Sequence, residues 1–401
     1  MMRFVRVAGV GILVLLMSVA AFWLLHPTGG VVMKRVLERP GFLWRIRSEK
    51  SCEGCHLKID RGMDKGWRAS IHFRVNVGCA DCHGGDHEAV FAEKGKVSAG
   101  VCGKCHEKEV TAFAQSGHAD AELAVISDAR FLAQSPAMQE DGCVGCHSIG
   151  ARFPDGSVGG CNTCHPGHEF SSAMAREPEA CQVCHGGPDH PVMEAYKTSV
   201  HGILYYRDRD PEKSPSCVTC HMPNGEHGHV ANIGLGAVFT GAVLEDDYLP
   251  YLAMKRLSVE TFEANRKEML RLCAPCHSTR FSRENLERAD AIKREADALV
   301  VEAYAIIKSL YDEGALDPMP ADRAPNPIVG HALELGGQQV YENTSEIEQA
   351  FFRLFKFYHS TTYKGAYHNS PDYMHWEGIV RMKMEMDHIR SEAKKLRFLK
   401  K

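Results

Sequence analysis

The chain has 401 residues, with 47 Lys and Arg against 51 Asp and Glu and a formal net charge of −4. No Lys/Arg run or basic patch interrupts that balance, so the electrostatic footprint of a nucleic-acid-binding protein is missing. Hydrophobic residues make up 44% and aromatic residues only 8%, a modest supply of core-forming side chains for a chain this long.

The N-terminus reads MMRFVRVAGVGILVLLMSVAAFWLLHP. Two arginines precede an uncharged apolar run, residues 7–25, which is about long enough to cross a bilayer. Ser18-Val19-Ala20 resembles a small-x-small cleavage site, yet the run continues through Phe22-Trp23-Leu24-Leu25. Residues 1–30 are therefore expected to be an uncleaved membrane anchor, with a cleaved signal as the alternative, and residues 31–50 a linker. Both readings place the remainder on the periplasmic or extracytoplasmic side of the cytoplasmic membrane.

Sixteen cysteines follow, and every one falls in a Cys-x-x-Cys-His unit. The units are CEGCH (Cys52, Cys55, His56), CADCH (Cys79, Cys82, His83), CGKCH (Cys102, Cys105, His106) and CVGCH (Cys143, Cys146, His147). Then come CNTCH (Cys161, Cys164, His165), CQVCH (Cys181, Cys184, His185), CVTCH (Cys217, Cys220, His221) and CAPCH (Cys273, Cys276, His277). This spacing is that of covalent c-type haem attachment. Two thiols one turn apart add to the two vinyl groups of one haem, and the adjacent His becomes the proximal iron ligand. Disulfide scaffolds are short chains with irregular cysteine spacing, and zinc Cys-x-x-Cys pairs need no following His. Neither accounts for a His after all eight pairs, so eight covalently bound haems c are expected. Stacked porphyrins would supply much of the apolar core, and their propionates would add negative charge.

Residues 51–280 form the expected octahaem body. Gly, Pro, Asn and Asp crowd between the motifs, which predicts short helices and loops rather than sheet. The irregular motif spacing argues against a solenoid. Residues 281–401 change character. Ile292, Leu299, Ala303, Ile306 and Leu310 share one helical stripe, with Gly314 as a C-terminal stop. A Pro-rich connection, DPMPADRAPNP, spans residues 317–327. Ser345 and Glu348 read as a capping box ahead of an amphipathic helix through Ile347, Phe351, Leu354, Phe355 and Tyr358. Residues 367–378, YHNSPDYMHWEG, look too irregular for helix interior. Ile379, Met382, Met386, Ile389, Ala393 and Leu396 then alternate by three and four, a seam for a partner helix in cis or in trans. The fold class is thus mainly α: a multihaem c-type cytochrome with short helices and loops around stacked haems, followed by long C-terminal helices.

Of 22 histidines, eight follow Cys pairs, leaving fourteen. An electron-transfer haem takes a second axial His, whereas a catalytic haem keeps that position open. Fourteen histidines satisfy either count. Two function classes therefore stand: an enzyme with one open iron, or an electron-transfer cytochrome with all irons closed, passing electrons from the membrane quinone pool to another protein.

The stretches CVGCHSIG (from Cys143), CNTCHPGHEFSSAMAREPEACQVCHGGPDHPVMEAYKTSVHG (from Cys161) and CAPCHSTRFSRENL (from Cys273) strongly resemble the octahaem hydroxylamine oxidoreductase family. Motif number and order agree, and the resemblance runs from about Ser51 to the C-terminal helix. It is weakest before Cys102 and in the Pro-rich connection, and the N-terminal anchor differs from members that carry a C-terminal one. The resemblance implies that the fourth haem, on Cys143, Cys146 and His147, is the open one, with Asp189 and His190 over its iron. Such a pair suits reactions that move protons with electrons. It also implies seven distal ligands: His72, His87, His118, His168, His201, His229 and His368. In CHMPNGEHGH, His227 falls where the family often has an active-site tyrosine, so it is expected in the pocket. His26, His331, His359 and His388 read as surface or core.

Oxidative members of the family cross-link a tyrosine from the tail to the catalytic haem of a neighbouring subunit. Aligned from Glu377-Gly378, this chain puts His375 at that position. Tyr373 is two residues away, roughly 7 Å in an extended segment. The resemblance therefore implies an enzyme without the cross-link that reduces nitrite or hydroxylamine toward ammonia, with His375 and His227 as added proton donors. Hydroxylamine or hydrazine oxidation in the same site is the alternative, beside the electron-transfer reading. A homotrimer and a quinol-oxidising membrane cytochrome as redox partner are implied as well.

Overall fold

The computed structural model describes residues 52–126, 129–132, 134–188, 190–228, 259–316 and 345–400. The N-terminal apolar run, the Pro-rich connection, Asp189 and His229 lie outside the described residues. Within them the secondary structure is helical, with one isolated antiparallel bridge between Arg152 and Val158 and no strand. No described helix is long and apolar enough to cross a membrane. The chain divides into two compact units.

The first unit comprises, among described residues, 52–95 and 167–170. Its helices are short: Cys52–Ile59 (α1), Arg61–Ala69 (α2), Ile71–Arg74 (α3), Cys79–His83 (α4) and His87–Ala92 (α5). Side-chain caps stand in for length. Asp60 Oδ1 accepts from the Gly62 and Met63 amides at 2.8 and 3.2 Å, satisfying donors that a helix start leaves open. Trp67, 6% exposed, is the one buried apolar side chain among the unit's described residues. Its Nε1 donates to Val77 O at 2.9 Å and its ring meets the edge of Phe73 at 4.8 Å.

The second unit holds residues 96–166 and 171–400 of the described chain. Its motif-bearing part is again short helices, among them Val192–Lys197 (α6) and Val200–Asp208 (α7). Its C-terminal part is built from Val259–Cys273 (α8), Thr279–Asp312 (α9), Glu346–Phe352 (α10), Ser360–Tyr367 (α11) and Val380–Leu399 (α12). Helix α9 runs 34 residues. Ser278 Oγ caps it through the Phe281 amide at 3.2 Å, and Gly314, at φ +64, ends it. There the Ala315 amide returns to Leu310 O at 2.8 Å, as a Gly-terminated helix does. The capping box before α10 forms as read: the Ser345 amide donates to Glu348 Oε2 at 2.8 Å and the Glu348 amide to Ser345 Oγ at 3.4 Å. Tyr311 of α9 also donates to the Glu348 carboxylate.

The seam of α12 packs in cis. Ile379, Met382, Met386, Ile389 and Ala393 join Val300, Ala303, Ile307 and Leu310 of α9 and Ile347, Phe351 and Leu354 in one buried cluster. Methionines 382 and 386 are core. The reading of this seam as a contact between subunits therefore loses its support, because its apolar face is already covered by the chain's own helices.

Residues 367–378 are also more regular than they read. Helix α11 ends at Tyr367, Asn369 turns the chain at φ +54, and a π-helical stretch, Tyr373–Ile379, leads directly into α12. The cause is tertiary. A Cβ on Gly365 would lie 2.8 Å from Met374 Cβ, and one on Gly378 would lie 2.6 Å from Thr362 Oγ1. Two glycines thus let the arms of a tight helical hairpin close on each other, overriding weak local propensity.

A polar network crosses this bundle. Lys293 is 0% exposed and donates to Asp297 Oδ2 at 2.6 Å, while His359 Nε2 meets Asp297 Oδ1 at 2.7 Å. Burial alone would raise the Asp297 carboxyl, but His359 and Lys293 outweigh it and hold it below the ordinary value. Burial holds the His359 imidazole below its ordinary value. A histidine depressed on folding contributes stability that is present above about pH 6.5 and lost as pH falls through its folded value. Thermal unfolding should therefore show a midpoint that drops between pH 7 and pH 5, with a shallower slope in His359→Gln. Equal slopes would contradict the assignment. Asp297→Ala, which strands a buried ammonium, should cost about 3–5 kcal/mol.

Candidate functional site

Each Cys-x-x-Cys-His unit is folded as a helical turn. The His amide donates to the carbonyl of the first Cys at 2.9 Å in the third motif, 3.0 Å in the fifth, 2.9 Å in the sixth and 3.0 Å in the eighth. In the first, second and seventh motifs the first Cys opens a helix. The fourth differs: Cys143 sits near the end of a π-helical stretch, Met138–Val144, that continues through Gly145–His147. One helical turn sets both thiols on one side, the arrangement that double attachment to one planar group needs. All sixteen cysteines are free of disulfides. Among the described residues no group of three or more His, Cys, Asp or Glu could hold a metal by itself.

In the second unit the motifs abut in a defined order. Cys102 and Cys161 lie close enough to shift each other's thiol, as do Cys181 and Cys217, which sets the third motif beside the fifth and the sixth beside the seventh. Cys146 donates to Val183 O at 3.7 Å and Cys184 to Cys146 O at 3.9 Å, which sets the fourth motif against the sixth. Cys164 lies in the field of Cys181, and Cys220 in that of Cys273.

The histidines show the clearest pattern. Ring centres of His56 and His87 stand 6.2 Å apart, and those of His83 and His168 6.1 Å, within the first unit. Within the second unit the separations are 5.9 Å for His185 and His118, 6.4 Å for His165 and His227, 6.3 Å for His221 and His368, and 5.9 Å for His277 and His201. Two metal–imidazole bonds of about 2 Å, plus roughly 1 Å from each nitrogen to its ring centre, put two rings roughly 6 Å apart across one metal ion. Each pair supplies two opposed donors and no third, which fits an iron whose remaining ligands come from a porphyrin. Burial lowers the basicity of His83, His118, His165, His168, His201 and His368, favouring the neutral imidazole that a metal requires.

His147 is different. Its Nδ1 meets Ala121 O at 2.7 Å, leaving Nε2 as the nitrogen available to a metal, yet among the described residues no histidine ring faces it. His72 lies on α3 with its ring against the edge of Phe170 at 5.0 Å. His106 stands 4.0 Å from a Glu109 oxygen.

Among the expected pocket residues, His190 lies partly buried beyond the sixth motif, its ring 6.1 Å from that of His185. His227 is placed otherwise than expected. It faces His165 in the same arrangement as the other five pairs, while His229 lies outside the described residues. GEHGH offers two histidines to one site, and spacing alone does not choose between them. His375 is exposed and meets Trp376 edge-on, ring centres 4.8 Å apart. Tyr373 is partly buried, and burial, with the Glu194 carboxylate nearby, pushes its phenol above the ordinary value. Glu194 is the group that sequence reading missed. Its Oε1 accepts from the Gly187 amide at 2.9 Å, in the loop just before Asp189 and His190.

A family model described as "Seven times multi-haem cytochrome CxxCH" matches residues 48–324. The chain belongs to this multihaem cytochrome family. Covalently bound haem c comes with that membership, and all eight of the chain's motifs lie inside the matched span. This multihaem cytochrome is 27% identical over 406 residues to a probable nitrite reductase-hydroxylamine oxidoreductase fusion protein of Kuenenia stuttgartiensis. The match covers 83% of the chain and 46% of the relative, so the chain spans about half the length of that protein. Among solved structures it is similar to a reducing HAO-like protein complex of Kuenenia stuttgartiensis, at 27% identity and a TM-score of 0.68, covering 87% of this chain and 85% of the other. A hypothetical multihaem protein, 18% identical with a TM-score of 0.68 over 88% of this chain and 96% of its own, shares the fold.

The facing of His227 and His165 has a spectroscopic consequence. His227→Ala should turn one low-spin haem of the cytochrome high-spin, whereas His375→Ala should leave every spin state unchanged. A His227→Ala spectrum identical to wild type would show that the facing is not ligation.

Proposed function

We propose that this cytochrome binds eight haems c and converts hydroxylamine or nitrite at the fourth, in the direction of reduction to ammonia. Six of the eight motif histidines face a second imidazole; of the other two, His106 lies beside Glu109, and His147, whose Nδ1 is turned to the Ala121 carbonyl, supports the reading together with the family resemblance. Six paired positions suit electron transfer, and the fourth motif, whose histidine no described histidine ring faces, suits a substrate. Haem iron supplies the electrons and, where the protein leaves a position open, a place for a small nitrogen oxide to bind.

The chain's own task is then protons and position. Asp189 and His190 follow the sixth motif, whose Cys184 abuts Cys146 of the fourth. We assign them as proton carriers for the bound substrate, with His190 held partly buried beside His185. The order of abutting motifs, third to fifth to sixth to seventh to eighth with the fourth beside the sixth, gives electrons a route to that position. His227, set against His165, is assigned as an axial ligand instead of a proton donor. His375, exposed on the tail, is left as a donor only toward a neighbouring subunit.

The direction is supported by the tail. Tyr373 is partly buried within its own chain, which does not favour a bond to another subunit's haem. Similarity to a complex described as reducing points the same way. Location outside the cytoplasmic membrane, an N-terminal anchor, a homotrimer and a quinol-oxidising cytochrome as donor remain part of the proposal.

Intact mass of the mature protein should exceed the polypeptide by eight haems, and Cys143→Ser with Cys146→Ser should remove one and abolish turnover. Reduced viologen should drive nitrite or hydroxylamine to ammonia faster than cytochrome c drains electrons from hydroxylamine. A Tyr373 peptide joined to the Cys143–Cys146 haem peptide, with fast hydroxylamine oxidation, would overturn the reductive assignment.

A further inference from the structure

One short stretch of backbone serves two motif histidines. His118 lies in the 3-10 turn Gly117–Asp120, with its ring 5.9 Å from that of His185 in the sixth motif. Three residues on, the Ala121 carbonyl meets His147 Nδ1 of the fourth motif at 2.7 Å. A carbonyl oxygen only accepts, so Nδ1 carries the hydrogen of this bond. The Ala121 amide in turn donates to the His118 carbonyl. That closed turn makes one unit of both positions, and displacing either end displaces the other.

The residues after His147 pack on this turn without slack. A Cβ on Gly150 would lie 2.8 Å from both the His118 carbonyl oxygen and the Glu122 nitrogen, and 2.9 Å from the Ala121 nitrogen. Gly150 is not among the glycines at positive φ, so close approach of backbone, and not strain, is what requires glycine here. Behind it, the Gly160 amide donates to Ile149 O at 2.8 Å, and a Cβ on Gly160 would lie 2.6 Å from Ser148 O. Residues 148–150 therefore have no room to retreat. Glu122 Oε2 adds a tie beyond them, accepting the Arg152 amide at 3.1 Å.

We propose that the turn from His118 to Ala121 is a positioning element shared by two haems, with Gly150 as the residue that sets its place. It holds the acceptor behind His147 and the seat of His118 opposite His185 as one piece. An acceptor on the far nitrogen makes a ligating imidazole a stronger donor to its metal. The Ala121 carbonyl thus tunes the position assigned to substrate, and the same turn ties it to the sixth haem, whose motif abuts the fourth. The inference rests on the reading of the fourth position as open and deepens it.

The test compares Gly150→Ala with Gly117→Ala in haem-loaded protein. Gly117 precedes His118, and an added Cβ there meets nothing within 4 Å. Two spectra are read: the iron–histidine stretching band of the reduced protein by resonance Raman, which reports a five-coordinate haem, and the low-spin EPR signals of the oxidised protein. Gly150→Ala should lower the iron–histidine frequency, because a lengthened bond to the carbonyl weakens the imidazole as a donor. It should also move one low-spin signal, the one that His118→Ala abolishes. Its kcat should fall by about tenfold, the low end of what losing an outer-shell partner costs, with KM nearly constant. Gly117→Ala should match wild type in both spectra and in kcat. Should Gly150→Ala not load haem, Glu122→Ala decides: it frees the Arg152 amide and should move the same two signals by less. Movement of one signal without the other, or of neither, would overturn the shared turn. If wild type gives no iron–histidine band, the open fourth position is what fails. Two low-spin signals moving together in Gly150→Ala would then still support the turn, and fewer than two would overturn it.

Discussion

A flat macrocycle tied by two thioethers on one edge and gripped by an imidazole on each face leaves a protein little freedom. The thiols must share one side of a helical turn, the next residue must swing a nitrogen under the centre, and a second histidine must arrive roughly 6 Å beyond the first. Six times this chain meets that requirement, with ring separations of 5.9–6.4 Å. The partners come from near and far in sequence: His87 lies 31 residues from His56, and His368 lies 147 from His221. Meeting it costs the surrounding structure its regularity. Helices in the motif-bearing parts are short, capped by side chains such as Asp60, and turned by left-handed residues such as Gly187 and Asn224.

The same constraint divides the labour of stabilisation. Where the motifs lie, side-chain clusters are small: Met193 with Tyr196 and Tyr205, or Met269 with Leu286. Porphyrin faces are large apolar surfaces, and burying them replaces what such clusters lack. Beyond the last motif the chain depends on ordinary packing, and there the core is continuous from Ala296 to Ala393. The two regimes meet at α11. Its buried face contributes Thr362 to the helical bundle, His359 precedes it, and the residue after its end is His368, opposite His221. Lys293, Asp297 and His359 lock α9 to the helix that delivers this histidine, so the bundle has a stake in haem geometry nine residues away.

Chemistry with a fixed spacing was legible in the sequence. The eight motifs, the Ser345 cap, the Gly314 stop and the buried face of α12 each follow from rules that act within a few residues. Partners separated by long stretches were legible only in part. His87, His118, His168, His201 and His368 stand opposite motif histidines, but the choice between His227 and His229 depends on how GEHGH is presented to His165. No local rule states that. The irregular look of residues 367–378 misled for a similar reason, since Gly365 and Gly378 act as contact surfaces for Met374 and Thr362 instead of as breakers.

Beside the six opposed motif histidines stand His106, near Glu109, and His147, which no histidine ring opposes among the described residues. Low-temperature EPR of the oxidised, fully loaded protein, with nitrite or hydroxylamine absent, addresses that point without relying on any variant. One high-spin haem beside low-spin ones, shifted on adding nitrite, is the predicted spectrum. A spectrum with every haem low-spin and unmoved by nitrite would contradict an open fourth position and leave an electron-transfer cytochrome.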